Sequence, residues 1–250
     1  MNVALAVFAL PPALALGSFL NVVAARLPQG RSLVHPPSSC LSCGTRVAWY
    51  DNVPVLSYAL LHGRCRSCGA RIGARYVLVE LLTALLVAGC FLAFGLSGEA
   101  FVAAFFVAVL VALSAIDAEH RILPDKIVLP AAVVVLAAQI ALMPDRTPEW
   151  ALGAFGASLF LFVALLAYPK GMGMGDVKLC LLLGAMLGKT VVVALMVGMT
   201  AALVPAVFLL ARHGSAARKM GIPFGPFLAF GAVIALFWGE TLLDAYLGRF

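Results

Sequence analysis

The sequence predicts an all-α polytopic membrane protein of about eight transmembrane helices, with one small cytoplasmic domain stapled by cysteines. Three observations carry that reading. Of the 250 residues, 64% are hydrophobic and only 11% charged, and the mean hydropathy is +1.08. A water-soluble domain of this length could not hide so much apolar surface. The apolar residues also fall in runs near bilayer length, and one basic stretch rich in Pro, Gly and Cys, from about 26 to 75, breaks them.

Taken in order, the first run covers 3–24. No Lys or Arg precedes it, so it lacks the charged start of a signal peptide. Arg26 follows it, which places the N-terminus outside and the next segment in the cytoplasm. The remaining spans are expected at 77–96, 100–116, 127–143, 150–168, 177–188, 190–211 and 223–245. Several fall short of the ~20 residues of a full crossing, and the sixth is the shortest. With this alternation, fourteen of the seventeen Lys and Arg lie inside, and only Arg146, Lys189 and Arg249 lie outside. That asymmetry is the positive-inside pattern. It also accounts for the net charge of +6 without nucleic acid, because aromatic and basic residues are not interleaved. No internal repeat and no Ser/Gly-rich linker is evident. The chain divides into a first helix (1–25), a cytoplasmic domain (26–76) and a seven-helix membrane domain (77–250).

The segment 26–76 is too short for a large core and needs a staple. Cys40, Cys43, Cys65 and Cys68 form two C-x-x-C pairs about twenty residues apart, a spacing that suits one tetrahedral Zn²⁺. Gly44 and Gly69 follow each second cysteine, where a knuckle turn needs a permissive backbone. Arg46, Arg64, Arg66 and Arg71 stand ready to offset the charge of four thiolates. The competing reading is two disulfides or a redox pair, which a cytoplasmic location disfavours. Four protein ligands would close the site and make it structural. Cys90 and Cys180 sit inside apolar runs and read as packing residues.

The acidic residues number only eleven. Asp117 ends the third apolar run, directly after "VALSAI", and Asp176 opens the sixth, in "GMGMGDVKL". Both are expected at the cytoplasmic edge of the hydrocarbon, where ionisable groups are costly and mark function. Two carboxylates in a poorly solvated site can hold one proton between them. One then takes a proton from water while the other donates to a scissile carbonyl, as in aspartic proteases. Gly171, Gly173 and Gly175 leave the backbone bare for a substrate strand or a neighbouring helix. The helix dipole would favour the charged form of Asp176. The plainer reading makes Asp176 an N-cap and Asp117 a solvated helix end, and on the residues alone the two stand side by side. Asp125, after Pro124, reads as an N-cap, and Lys178 as an interfacial anchor.

With those motifs in hand, the chain resembles the bifunctional type IV prepilin peptidases, the leader peptidase/N-methyltransferases. The resemblance rests on "GSFLNVVAARLP", the cysteine tetrad, "WYDNVPVLSY", "ARYVLVELLTA", "IDAEHRILPD", "GMGMGDVKL" and "IPFGPFLAFG", in that order over nearly the whole chain. It implies a bacterial inner-membrane aspartyl endopeptidase with active sites facing the cytoplasm. Such an enzyme cuts the basic leader from prepilins or pseudopilins and methylates the new N-terminal residue, often Phe, with S-adenosylmethionine. Asp117 and Asp176 match the family's catalytic pair, and the four cysteines match its cytoplasmic domain. A sulfonium and an amine favour nearby carboxylates, which makes Asp51, Asn52 and Glu80 candidates for the methyl-transfer site. Their structural alternatives are a turn for Asp51–Asn52 and an ion pair with Arg71, Arg75 or Arg26 for Glu80. A cation or proton transporter built on the two aspartates is the rival function. It leaves the zinc module unexplained. A membrane scaffold that binds a partner through that module is a third.

Overall fold

The computed structural model describes residues 2–169, 172–214 and 222–248, without the His213 side chain. Among them, extended pairing is limited to two single bridges, Ser39 with Arg46 and Arg64 with Arg71; the regular structure is helical. Seven segments are long and apolar enough to cross a membrane: Asn2–Gln29, Arg75–Phe94, Gly98–His120, Asp125–Leu142, Pro144–Ala167, Met174–Arg212 and Gly225–Leu247. They contain the helices α1 (Asn2–Arg26), α3 (Arg75–Phe94), α4 (Gly98–His120), α5 (Asp125–Leu142), α6 (Thr147–Ala167), α7 (Met174–Leu187), α8 (Val191–His213) and α9 (Gly225–Leu247). A short α2 (Leu56–Leu60) lies between α1 and α3.

The expected eight and the seven segments differ at one place. Met174–Arg212 is a single segment of 39 residues, but it holds two helices. They part at a 3-10 turn, Gly188–Thr190, where Gly188 takes φ 54°. The expected sixth span is therefore α7. Its 14 residues make a rod about 21 Å long at 1.5 Å per residue, short of a ~30 Å hydrocarbon core.

The chain forms two compact units, Met1–Ala115 and Ile116–Phe250. In the first, α1 and α3 run antiparallel. Asn2 Nδ2 donates to Leu92 O at 3.2 Å near one end, and Asn21 Nδ2 to Tyr76 O at 2.9 Å near the other. Gly17 sets the close crossing between them, because a Cβ there would stand 2.7 Å from Glu80 Cα. Between these helices the chain forms turns, a 3-10 helix at Trp49–Asn52, and α2.

In the second unit the same device recurs. A Cβ on Gly184 of α7 would collide with the Gly153 carbonyl of α6, and one on Gly231 of α9 with the Ala194 carbonyl of α8. Lipid gives apolar helices little reason to associate, so small residues that let backbones touch supply the packing. At one end of this unit Arg146 clasps Glu149 at 3.0 Å and reaches Glu240 at 3.8 Å, with Lys189 3.9 Å from Glu240. Arg146 and Lys189, both expected on the outer face, share one end through Glu240.

This packing predicts a contrast between two glycines. Gly184→Ala should destabilise the protein by about 3 kcal/mol, the upper range for overpacking, and lower its unfolding temperature in detergent. Gly156→Ala, where a Cβ meets nothing within 4 Å, should leave that temperature unchanged. Equal stability of the two variants would refute the close α6–α7 contact.

Candidate active site and metal centre

Helix α4 runs past the expected span to His120, and α7 starts at Met174. Asp117 therefore lies in the last turn of one helix and Asp176 in the first turn of another. Both are buried, at 6% and 8% exposure, and Asp176 lies within electrostatic reach of Asp117.

Each carboxylate meets a backbone donor at a helix start. Asp176 Oδ2 accepts the Gly173 N–H at 3.1 Å, the reach-back of an N3 carboxylate in a capping box. Asp117 Oδ2 accepts the Gly225 N–H at 2.9 Å. Gly225 is the first residue of α9 and precedes Pro226, so its N–H has no partner within that helix. Asp117 sits at the negative end of its own helix and gains the positive end of another. The dipole argument that would single out Asp176 thus applies to Asp117 as well.

Gly225 was not singled out from the sequence. The available signal was the Gly-Pro step opening a long apolar run, which marks a helix start. A Cβ at Gly225 would lie 2.9 Å from Asp117 Oδ2, so a side chain here would displace the Asp117 carboxylate. Of the three glycines before Asp176, Gly171 lies outside the described residues. Gly173 is extended, at φ −95° and ψ 153°, a shape any residue adopts. Gly175 packs against the α4–α5 loop, where a Cβ would stand 3.0 Å from Leu123 Cβ. Its bareness serves a neighbouring segment of the chain.

Asp125 and Lys178 also acquire different roles. Pro124 occupies the N-cap of α5 and Asp125 is the first helical residue. Both oxygens of Asp125 receive Lys178 Nζ, at 2.8 and 2.7 Å. This pair ties the start of α5 to α7 two residues beyond Asp176.

The four cysteines converge. Their Sγ atoms all lie within 4.8 Å of one another, and Cys40 Sγ stands 3.8 Å from Cys68 Sγ. That is too long for a disulfide and matches the ~3.8 Å edge of a tetrahedron with ~2.3 Å metal–sulfur bonds. The two arms are built alike. Cys40 N–H bonds Thr45 O and Gly44 N–H bonds Cys40 O, both at 2.9 Å; Cys65 N–H bonds Ala70 O at 2.8 Å and Gly69 N–H bonds Cys65 O at 2.9 Å. Gly44 and Gly69 take φ 70° and 71°. "CLSCGTRV" and "CRSCGARI" are thus one eight-residue turn used twice, a short internal repeat where none was expected.

The electrostatics of the cluster suit a cation. Cys43 and Ser42 N–H groups hold the Cys40 thiol below its ordinary range, and Cys68 and Ser67 do the same for Cys65. Cys68 is helped by the Ala70 N–H but, facing Cys43 and the other thiols, is pushed up to about 11. A bound divalent ion is what lets all four ionise together. Cys90 and Cys180 are fully buried, as packing residues should be.

Of the methyl-transfer candidates, Asp51 is bound by Arg66 through both oxygens, at 2.8 and 2.6 Å. That bond, with the guanidinium charge, holds its carboxyl below the usual range. Arg66 also lies over the Tyr50 ring, 5.6 Å from its centroid. Asn52 is exposed at the end of its 3-10 helix. Glu80 is 7% exposed. Its Oε2 accepts the Val55 N–H at 2.8 Å.

Two family models match the chain: Bacterial Peptidase A24 N-terminal domain over residues 12–94, and Type IV leader peptidase family over residues 104–211. The first spans the cysteines and Glu80, the second Asp117 and Asp176. Curated relatives named prepilin leader peptidase/N-methyltransferase match almost end to end. The Pseudomonas aeruginosa (strain PAO1) protein is 36% identical over 94% of this chain and 90% of its own. The Bacillus subtilis (strain 168) protein is 32% identical over 94% of each. That of Myxococcus xanthus (strain DK1622) is 41% identical over 73% of this chain and 56% of its own. No solved structure matches.

The cysteine geometry predicts about one divalent metal per purified chain, as one four-thiolate site requires. Cys40→Ser/Cys65→Ser should lose the metal and become sensitive to protease within 26–75. A double variant that kept its metal would overturn the site.

Proposed function

Because the chain belongs to the type IV leader peptidase family, we propose that it cleaves the leader peptide of type IV prepilins or pseudopilins and N-methylates the residue so exposed. The observation that carries the peptidase reading is the Asp117–Asp176 arrangement: two buried carboxylates within electrostatic reach, each at a helix start. The pair holds one proton. The ionised member takes a proton from water, and the protonated member donates to the oxygen of the scissile carbonyl. The N–H groups of Gly173 and Gly225 keep each carboxylate oriented through the cycle and lower the cost of its charge away from bulk water.

The cysteine cluster holds Zn²⁺ in a closed, structural site that staples the 26–76 domain. S-adenosylmethionine supplies the methyl group. Glu80 is the candidate best placed to serve that reaction, because its carboxylate is buried and accepts a backbone N–H, whereas Asp51 is committed to Arg66. The charge asymmetry supports an inner-membrane protein with its N-terminus outside and both sites open to the cytoplasm. A transporter using the same aspartates finds no support in either family model.

Two outcomes test this reading. Asp117→Asn and Asp176→Asn should each lower prepilin cleavage by roughly 10²–10⁴-fold, the usual contribution of a general acid or base. Metal content and elution as a folded species should stay intact. Product mass spectrometry reads the cleavage, and normal turnover by either variant would sink the assignment.

The second outcome concerns separability. Methyl transfer needs an aligned amine and nothing from the aspartate pair. Asp176→Asn should therefore methylate a pre-cleaved pilin peptide with a free N-terminal Phe near the wild-type rate, while leaving intact prepilin uncut. Loss of both activities in a folded variant would mean that the two reactions share residues.

A further inference from the structure

The first unit contains a polar cluster at the crossing of α1 and α3 that involves neither the cysteines nor the aspartates. Gly17 brings α1 so close to α3 that its neighbours Ser18 and Asn21, one helical turn apart, face Glu80 and the residues beside it. Ser18 lies beside the Glu80 carboxylate. Asn21 is 4% exposed, and its Nδ2 donates to Tyr76 O at 2.9 Å. A helical carbonyl points toward residue i+4, so the Asn21 amide lies against the backbone of Glu80. Its other atom, Oδ1, is buried with no hydrogen-bond donor among the described residues. On the far side, Val55 takes φ 60° and ψ −49°, and Leu56 N–H bonds back to Pro54 O. This is the rarer, strained hand of γ-turn. It presents the Val55 N–H to Glu80 Oε2 at 2.8 Å.

The cluster thus offers a buried carboxylate and a buried amide oxygen that lacks a donor among the described residues. Leaving such an acceptor unpaired is costly, and the group that relieves it must carry N–H or O–H. The sulfonium of S-adenosylmethionine has neither; its own α-ammonium does, and a KM for the cofactor that rose in the variants would assign the cluster to the cofactor and overturn the proposal. An amine or ammonium has up to three N–H groups and a charge that suits the carboxylate. We propose that Asn21, Ser18 and Glu80 form the subsite for the α-amino group of the cleaved substrate. The inference rests on the methyl-transfer reading above and names where its acceptor is held. Asn21 Oδ1 and Glu80 orient the amine, and Glu80 accepts the one proton that the ammonium must lose before its lone pair is free.

The same acceptors would also suit a side-chain ammonium of the leader, and the test separates the two sources. Full-length protein in detergent receives a pre-cleaved pilin peptide with N-terminal Phe, its desamino analogue, or intact prepilin, at saturating S-adenosylmethionine. Wild type should bind the amine peptide at least tenfold tighter than the desamino peptide. In Glu80→Gln and Asn21→Ala that preference should collapse, and the KM for the amine peptide should rise tenfold or more. The KM for S-adenosylmethionine, the cleavage of intact prepilin and the metal content should stay within about twofold, which also reports that the variants fold. Should Glu80→Gln misfold, Ser18→Ala and Asn21→Ala carry the test. An unchanged amine preference in the folded variants overturns the subsite. A raised KM for prepilin cleavage, with methylation untouched, assigns the cluster to the leader and overturns the subsite too. If wild type binds the amine peptide preferentially but transfers no methyl group, the functional reading fails and the subsite stands.

Discussion

A carboxylate removed from water must find donors, and in this protein helix starts supply them. Asp117 lies in the last turn of α4, where the dipole of its own helix opposes a negative charge. It is tolerated there because α9 begins against it and gives the Gly225 N–H. Asp176 solves the same problem within α7 by reaching back to Gly173. Much of the second unit follows from these two bonds. A side chain at position 225 would displace the Asp117 carboxylate. The α4–α5 loop must lie flat on Gly175, and the Asp125–Lys178 pair keeps it there. Helix α7 must start where its first turn can face Asp117. Its far end is held beside α6 by Gly153 and Gly184.

Close approach of backbones is the means by which such precision is reached in lipid. Apolar side chains gain nothing by leaving one hydrocarbon for another, so helix pairs are set by shape. Gly17, Gly153, Gly184, Gly198 and Gly231 each sit where a Cβ would meet the backbone of a facing helix. At Gly17 the contact also has a chemical consequence, because it presses Ser18 and Asn21 onto the turn of α3 that carries Glu80. Packing and site chemistry are there one interaction.

The segment between α1 and α3 follows other rules. It has little apolar material to bury: Leu41 and Trp49 are 94% and 84% exposed. Two copies of one knuckle bring four sulfurs together, a set that could hold a metal in place of the missing core. The Asp51–Arg66 pair and the Tyr50 ring then fix the 3-10 helix beside the second knuckle.

The sequence by itself determined the membrane class, the order of the spans, the cysteine tetrad and the two aspartates. Each of those is local information: the length of an apolar run, the spacing of thiols, a lone acid beside hydrocarbon. Even the short α7 was legible, because its run of apolar residues is short. The tertiary structure decided which groups meet. Gly225 stands 108 residues from Asp117 and Asn21 stands 55 from Tyr76, and nothing in a uniformly apolar run says which face turns toward which neighbour. It likewise separated Asp51 from Glu80, which looked alike as isolated acids: one is bound by an arginine fifteen residues on, and the other is buried against α1. The physical reason is that a polar group buried at a helix crossing takes its partners from the geometry of that crossing, and in lipid the crossing is set by the mutual fit of distant small residues.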